Sequence, residues 1–211
     1  PGGEVSDGLL NMVEMAFSHI SDKQIWAKRG DTDEIERWNP PRNERNLPSF
    51  LMGDICCGTG RFLIRSLVKF QERVFTTPGK PYRERCDWMN TAKRHCFFGA
   101  DQSPSSLLKA RINFLLFGEQ QAQLLTVDDS ILDERIDRLA GTFDLLLTNP
   151  PFGEGKYDSQ AGLEKMRCQD AGLNLGWHWK ECESKKKPLF RADPALLFID
   201  RNLQLLKPDG L

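Results

Sequence analysis

The sequence predicts an α/β fold built on a doubly wound, mostly parallel sheet. Short apolar runs of strand length alternate with longer runs whose apolar residues recur at helical spacing, which is the pattern of strand–helix–strand units. The first strand-like run ends abruptly in Cys-Cys-Gly-Thr-Gly, a glycine turn of the kind that passes a strand into a helix. At 211 residues and 39% apolar content, the chain can fill one sizeable core, so one α/β domain is expected rather than two.

The elements follow in order. Residues 7–20 place Leu9, Val13, Ala16, Phe17 and Ile20 on one helical face, with Ser6 or Asp7 available as a cap. Residues 29–47 are charged and broken by proline, which reads as an exposed connection. The run Pro48 to Ile55 is the first strand. A helix from Arg61 to about Glu72 turns Phe62, Leu63, Leu67 and Phe70 inward, and residues 73–94 read as a polar insertion. Cys96 to Ala100 is the second strand. Ser103-Pro104 opens a helix with Leu107, Leu108, Ile112, Leu115 and Leu116 at helical spacing, closed by Gly118.

Gln123–Val127 and Phe143–Thr148 are the next two strands. About 40 glycine-rich, charged and tryptophan-bearing residues follow Phe152, including Lys185 to Lys187, and so long an irregular segment is usually functional or mobile. A last amphipathic helix, Pro194 to Leu206, carries Leu196, Ile199, Leu203 and Leu206 on one face. The ending Lys-Pro-Asp-Gly-Leu is a turn that should lead into another strand, so a fold truncated before its last strands is expected. The domain division is residues 1–47, a helix and polar connection, and residues 48–211, the α/β core.

Several function classes fall away on totals. Formal net charge is −1 and pI about 6.4, so no global basic field drives nucleic-acid binding, and any such contact must be local or supplied by a partner. No apolar run approaches the roughly 20 residues that span a bilayer, and the start of the sequence lacks a signal-peptide pattern; a cytoplasmic protein is expected. The six cysteines (Cys56, Cys57, Cys86, Cys96, Cys168, Cys182) contain no C-x-x-C pair, so free thiols are expected rather than a zinc ribbon, and no metal is assigned.

Ligands of open parallel sheets bind beyond the carboxyl ends of the strands. Gly58 and Gly60 follow the first strand directly and let the backbone turn tightly and approach a ligand. A dinucleotide site would need a third glycine, yet position 63 is Leu63, and no acidic residue closes a strand about 20 positions on. The second strand ends instead in Gly99-Ala-Asp101, where a carboxylate can accept both hydroxyl hydrogens of a ribose, and Gln102 adjoins it. The third ends in Val127-Asp128-Asp129-Ser130, where a carboxylate can accept from an adenine amino group. A nucleoside with a free ribose and an adenine ring fits this recurrence.

The fourth strand ends in Asn149-Pro150-Pro151-Phe152. An exocyclic amine conjugated to a purine ring is a poor nucleophile because its lone pair is delocalised. The Asn149 side-chain oxygen and the Pro150 carbonyl can each take one N–H hydrogen, favouring a nitrogen whose lone pair points outward. The prolines lock the backbone so that these oxygens converge, while Phe152 offers a stacking face. Reaching such a base in a duplex requires flipping it, at a cost of a few kcal/mol. Asn39-Pro40-Pro41 repeats the tripeptide without a preceding strand or a following aromatic, and reads as a loop.

These residues together resemble the N6-adenine DNA methyltransferase family, and in particular the modification subunits of type I restriction-modification systems and related fused enzymes. The resemblance covers Asp54 through Phe62 (cofactor loop, with Cys56, Gly58, Thr59 and Gly60), Gly99 through Gly118, Asp128 through Ser130, Thr148 through Gly153 and Leu205 through Gly210. It implies a class I, Rossmann-like methyltransferase fold with S-adenosylmethionine as cofactor: Asp54 and the glycine loop near its methionine end, Asp101 on the ribose, Asp129 on the adenine. It implies methylation of adenine N6 in double-stranded DNA with the target base flipped out, beside a separate or fused target-recognition (specificity) domain and a restriction nuclease. Ile55 stands where these loops often carry proline, and Arg61 where a small residue is common. The rival readings are an amine methyltransferase acting on RNA guanine or protein glutamine, and a non-catalytic cofactor-binding module. His19, His95 and His178 read as surface or packing residues, and Lys185–Lys187 as a solvated face.

Overall fold

A computed structural model describes residues 3–28, 47–150, 177–179, 186–188 and 194–211. The elements are α1 (Gly3–Ser18), α2 (Asp22–Ile25), β1 (Met52–Asp54), α3 (Arg61–Thr76), α4 (Tyr82–His95), β2 (Phe97–Asp101), α5 (Pro104–Leu116), β3 (Gln123–Thr126), α6 (Glu134–Asp137) and β4 (Leu145–Leu146). A short antiparallel pair follows, β5 (Trp177–Trp179) with β6 (Lys186–Pro188), and then α7 (Pro194–Leu205).

Strands β3-β2-β1-β4 form one sheet in that order, and every pairing in it is parallel. The predicted α/β, parallel fold class is therefore the observed one. Side chains of a strand alternate between faces, and that alternation divides the core in two. Met52, Phe97, Leu124 and Leu145 join one buried cluster with Val13, Phe17, Leu63, Leu67 and Phe114. Their neighbours Leu51, Phe98 and Leu146 join the other, with Ile131, Ile136, Leu197 and Leu205. Helices α1, α3, α4 and α5 thus cover one face, and α6 and α7 the other, which makes the sheet doubly wound.

Glycine sets how closely the strands and helices approach. A Cβ at Gly53 would lie 2.6 Å from Phe143 Cε1, and one at Gly99 would lie 2.7 Å from Leu124 Cδ2 and 2.8 Å from Leu63 Cδ1. Neither strand position has room for a side chain.

Several sequence expectations are corrected. Residues 73–94, read as a polar insertion without an element of its own, are largely helical: α3 continues to Thr76 and α4 fills Tyr82–His95, burying Trp88, Met89, Ala92 and His95. That spacing is helical, but only four of the fourteen residues are buried, so charge hides the period. Arg85 donates to the carbonyls of Phe75 and Thr77, closing the end of α3. Helix α1 starts at Gly3, so Ser6 and Asp7 lie inside it rather than at a cap.

The inner face of α5 is also different. Leu107, Ala110 and Phe114 are buried, whereas Leu108, Ile112, Leu115 and Leu116 are exposed. In α7 the buried residues include Leu197, Phe198, Arg201 and Leu205, while Ile199 and Leu203 face solvent; the Leu196 side chain lies outside the described residues. Arg201 is held there by Asp137 and Gln204. β1, β3 and β4 are shorter than predicted, β1 and β4 most, whereas β2 keeps its predicted length, shifted by one residue. After α7, Lys207 donates to the Asp144 carboxylate at 2.7 Å and to the Ser49 carbonyl, while Leu51 N–H reaches the same Asp144 oxygen at 2.8 Å. Asp144 thereby ties β4 to the approach to β1 and to the turn after α7.

The expected exposed connection over 29–47, the Asn39-Pro40-Pro41 loop and the long segment after Phe152 fall almost wholly outside the described residues. Among the described residues no helix is long and apolar enough to cross a membrane.

Candidate functional site

Because all four strands are parallel, their carboxyl ends lie along one edge of the sheet. β1 leads to β2 and then β3 on one side, whereas β4 returns to the other side of β1. The strand order reverses there, between β1 and β4, and such a switch point is where open α/β sheets receive ligands. Asp54 ends β1, Asp101 ends β2, Asp129 follows β3, and Asn149 follows β4.

The glycine loop is built on backbone hydrogen bonds. Cys57 N–H donates to Ala100 O at 2.9 Å, which docks the loop on β2, and Gly60 N–H donates to Cys57 O at 2.7 Å, which closes the turn. Gly58 and Gly60 have φ of +52° and +78°, a region that disfavours any Cβ. At Gly60, the residue before α3, a Cβ would also lie 3.2 Å from Ala110 Cβ, so glycine lets α3 start directly against α5. At Gly58 a Cβ would meet nothing within 4 Å. That side of the loop is open space. Asn113, on α5, donates from Nδ2 to Thr59 O at 2.9 Å and braces the loop from behind, a role no sequence pattern announced.

Asp101 is half-buried and works harder than predicted. Its Oδ2 accepts from Gly58 N–H at 2.8 Å, and its Oδ1 accepts from Ser103 N–H at 2.8 Å. One carboxylate thus fixes both the glycine loop and the entry to α5, where Ser103 caps the helix. Each oxygen retains a second lone pair with which to accept from a ligand. Gln102 beside it is exposed.

Asp54 is 2% exposed, and its Oδ1 accepts from Cys56 N–H at 3.0 Å. Burial lifts its pKa from the ordinary 3.8 to about 8; the Cys56 amide opposes the rise and the negative charge of Asp101 adds to it. The Cys56 thiol is pushed up to about 12, first by burial and then by Asp54 and Asp101, and the Cys57 thiol is raised for the same reasons. Both remain protonated at neutral pH and are poor nucleophiles. The charge pattern instead suits a cation: positive charge beside Asp54 and Asp101 would favour the ionised form of Asp54, which otherwise keeps its proton at neutral pH.

At the end of β3, Asp129 Oδ1 accepts from Ile131 N–H at 2.8 Å, and its carbonyl accepts from Asp133 N–H at 2.9 Å. This tight turn buries Ser130 and leaves Asp129 half-buried. At the end of β4, Asn149 is exposed, Pro150 is half-buried, and the Thr148 hydroxyl oxygen is buried without a hydrogen-bond partner among the described residues. Pro151 and Phe152 lie outside the described residues.

The structure therefore joins Asp54, Cys56, Gly58, Thr59, Gly60 and Asp101 in one cluster, with Gln102 beside it. Asp129, Ser130, Asn149 and Pro150 stand on the same sheet edge at flanking strand ends.

Comparison with known proteins assigns a family. A family model described as N-6 DNA Methylase matches residues 46–183. The Type II methyltransferase M.MamI of Microbacterium ammoniaphilum is 39% identical over 117 residues, 56% of this chain and 30% of that protein. The Type I restriction enzyme MjaIX methylase subunit of Methanocaldococcus jannaschii is 24% identical over 123 residues, 58% of this chain and 18% of that one. The chain thus spans less than a third of either curated relative. Among solved structures, a nuclease-deletion mutant of the Type ISP restriction-modification enzyme LlaGI, in complex with a DNA substrate mimic, superposes with a TM-score of 0.50 at 16% identity. That likeness covers 77% of this chain and 15% of the other, and is one of fold.

Proposed function

Since the chain belongs to the N-6 DNA methylase family, we propose that it carries the catalytic core of a restriction-modification DNA methyltransferase that methylates adenine N6 using S-adenosylmethionine. The observation that carries this reading is the edge itself: a glycine loop, three acidic side chains and Asn149 at the ends of four parallel strands, around the point where strand order reverses. The core is residues 48–211, preceded by the helical and polar segment 1–47.

The residues fit the cofactor. The open side of Gly58 leaves room for a ligand against the backbone, and Asp101 keeps free lone pairs for ribose hydroxyls after accepting its two amides. Asp54, Cys56, Thr59 and Gly60 line the methionine end, and Gln102, Asp129 and Ser130 the adenosine end. S-adenosylmethionine, when bound, supplies a methyl carbon made electrophilic by the sulfonium. Asn149 and Pro150 supply the acceptors that hold the target amine by its two hydrogens, exposing the nitrogen lone pair. Pro151 and Phe152 complete the element, the proline by fixing its backbone and the aromatic ring by stacking on a flipped base. Most of the rate then comes from positioning. With a net charge of −1, the chain relies on a target-recognition domain, separate or fused, for much of its grip on double-stranded DNA, and a restriction nuclease is the natural further partner.

The test is calorimetric titration of S-adenosylmethionine into the chain, paired with an assay for N6-methyladenine in DNA supplied with the recognition partner. Asn149→Ala should keep cofactor affinity and lose methylation, whereas Asp101→Ala should lose binding. A methyl group found on cytosine, or a folded parent chain with no affinity for the cofactor even with its partner present, would overturn the proposal.

A further inference from the structure

Helix α5 presents an outward apolar stripe that the described residues leave exposed. Leu108, Ile112, Leu115 and Leu116 are 59%, 50%, 51% and 78% exposed. Their spacing of i, i+4, i+7 and i+8 puts them on one side of the helix as a continuous strip, unlike apolar residues scattered singly over a surface. The stripe continues into a groove of about 340 Å³ between α5 and the first half of α3. Leu116 and Phe117 form its α5 wall, Ile64 and Val68 its opposite wall, and Arg61 and Arg65 stand beside them.

The charge around this surface has one sign. Arg61, Arg65 and Lys109 are exposed and make no ion pair among the described residues, whereas Lys69, one turn further along α3, is neutralised by Glu14 and Glu72. Helix α5 contains no acidic residue at all. In a chain whose net charge is −1, an apolar strip bordered by three cations that no described acidic residue pairs with is a local asymmetry that complements an acidic surface.

From this we propose that the α5 stripe and the α3–α5 groove are the docking surface for an amphipathic helix of a protein partner, one whose apolar face is flanked by glutamate or aspartate. A helix in a groove matches the i, i+4, i+7 spacing of the anchors. A second copy of the chain fits worse, because a two-fold contact would bring the same three cations against themselves. Nucleic acid fits worse as well, because phosphates would satisfy the cations and leave the leucines exposed. The surface adjoins the glycine loop without including it: Arg61 follows Gly60, and Asn113, which lines the groove, braces Thr59.

The experiment uses the full chain and a labelled synthetic peptide of about 18 residues, five helical turns. Its leucines repeat at i, i+3, i+4 and i+7 and its flanks are glutamates; a twin peptide carries lysines instead. Fluorescence anisotropy should show the glutamate peptide binding at least about tenfold tighter than its twin. Ile112→Asp and Leu116→Asp should each abolish binding, and Arg65→Glu should reverse the preference. Circular dichroism melting should be unchanged in all three, since the residues are exposed. Equal binding of the twins, no loss with either aspartate variant, or a dimer of the free chain that Leu116→Asp dissociates would overturn the proposal.

Discussion

The Asp101 carboxylate accepts the amide hydrogen of Gly58 at 2.8 Å, across 43 positions of sequence. Through that bond the end of the second strand holds the glycine loop of the first, with the other carboxylate oxygen on Ser103 N–H. A residue that sequence pattern assigns only to a ligand is also a strut of the site.

Asp101→Ala should therefore cost stability as well as cofactor affinity. Losing an acceptor shared by two part-buried amides is worth about 1–3 kcal/mol, to be read from urea denaturation. Asp101→Asn keeps one acceptor oxygen and should recover part of the stability while affinity stays reduced. Unchanged stability in the alanine variant would mean that other contacts hold the loop.

Gly58→Ala and Gly60→Ala should separate strain from occupancy. Both require a left-handed residue, at about 1–2 kcal/mol. The Gly60 methyl also presses on Ala110 at 3.2 Å, so that variant should lose more stability. The Gly58 methyl meets no protein atom, but it occupies the open side of the loop, so its larger effect should be on cofactor affinity, a loss of tenfold or more in titration calorimetry, about 1.4 kcal/mol.

Native stability should fall as pH rises from about 4 to about 8. The folded chain keeps the Asp54 proton up to about 8, whereas the unfolded chain releases it near the ordinary 3.8. The unfolded state therefore binds fewer protons in that window, and the contribution present below it is lost as pH climbs through it. Denaturation midpoints measured across the range should slope downward in the parent, and much less in Asp54→Asn. If a cationic ligand binds beside Asp54, binding should release a proton below pH 8 and tighten as pH rises to that value. Calorimetry in buffers of different ionisation enthalpy reads that release.

Asp144→Ala should destabilise the fold by about 2–3 kcal/mol, because it leaves Lys207 and the Leu51 amide without their shared acceptor. Lys207→Met keeps the apolar stem and should cost less. Both values come from denaturant titration.

Much of the site was legible because its chemistry is carried by local order. A glycine turn after an apolar run, acidic residues at the next two strand ends and Asn-Pro after the fourth are strand-end signals. In a parallel sheet all strand ends share an edge, so naming the strands was enough to gather Asp54, Gly58, Asp101, Asp129 and Asn149. Resemblance to the N6-adenine methyltransferases rested on the same residues. Asn113 escaped because it acts through the Thr59 carbonyl from mid-helix, and α4 escaped because a charged helix with four buried residues looks like a polar insertion.

What the sequence determined by itself was the succession of the four core strands and of helices α1, α3, α5 and α7, because the periods of 2 and 3.6 are properties of each segment alone. Only the tertiary structure decided which face each helix turns inward. In α5 the leucines outnumber the residues that are buried, so hydrophobic count favours the outer face; the inner face is chosen by close approach, where Ala110 meets Gly60 and a larger residue would not fit. The order of strands, the switch point between β1 and β4 and the double duty of Asp101 were decided at the same level, since each depends on contacts between segments far apart in the chain.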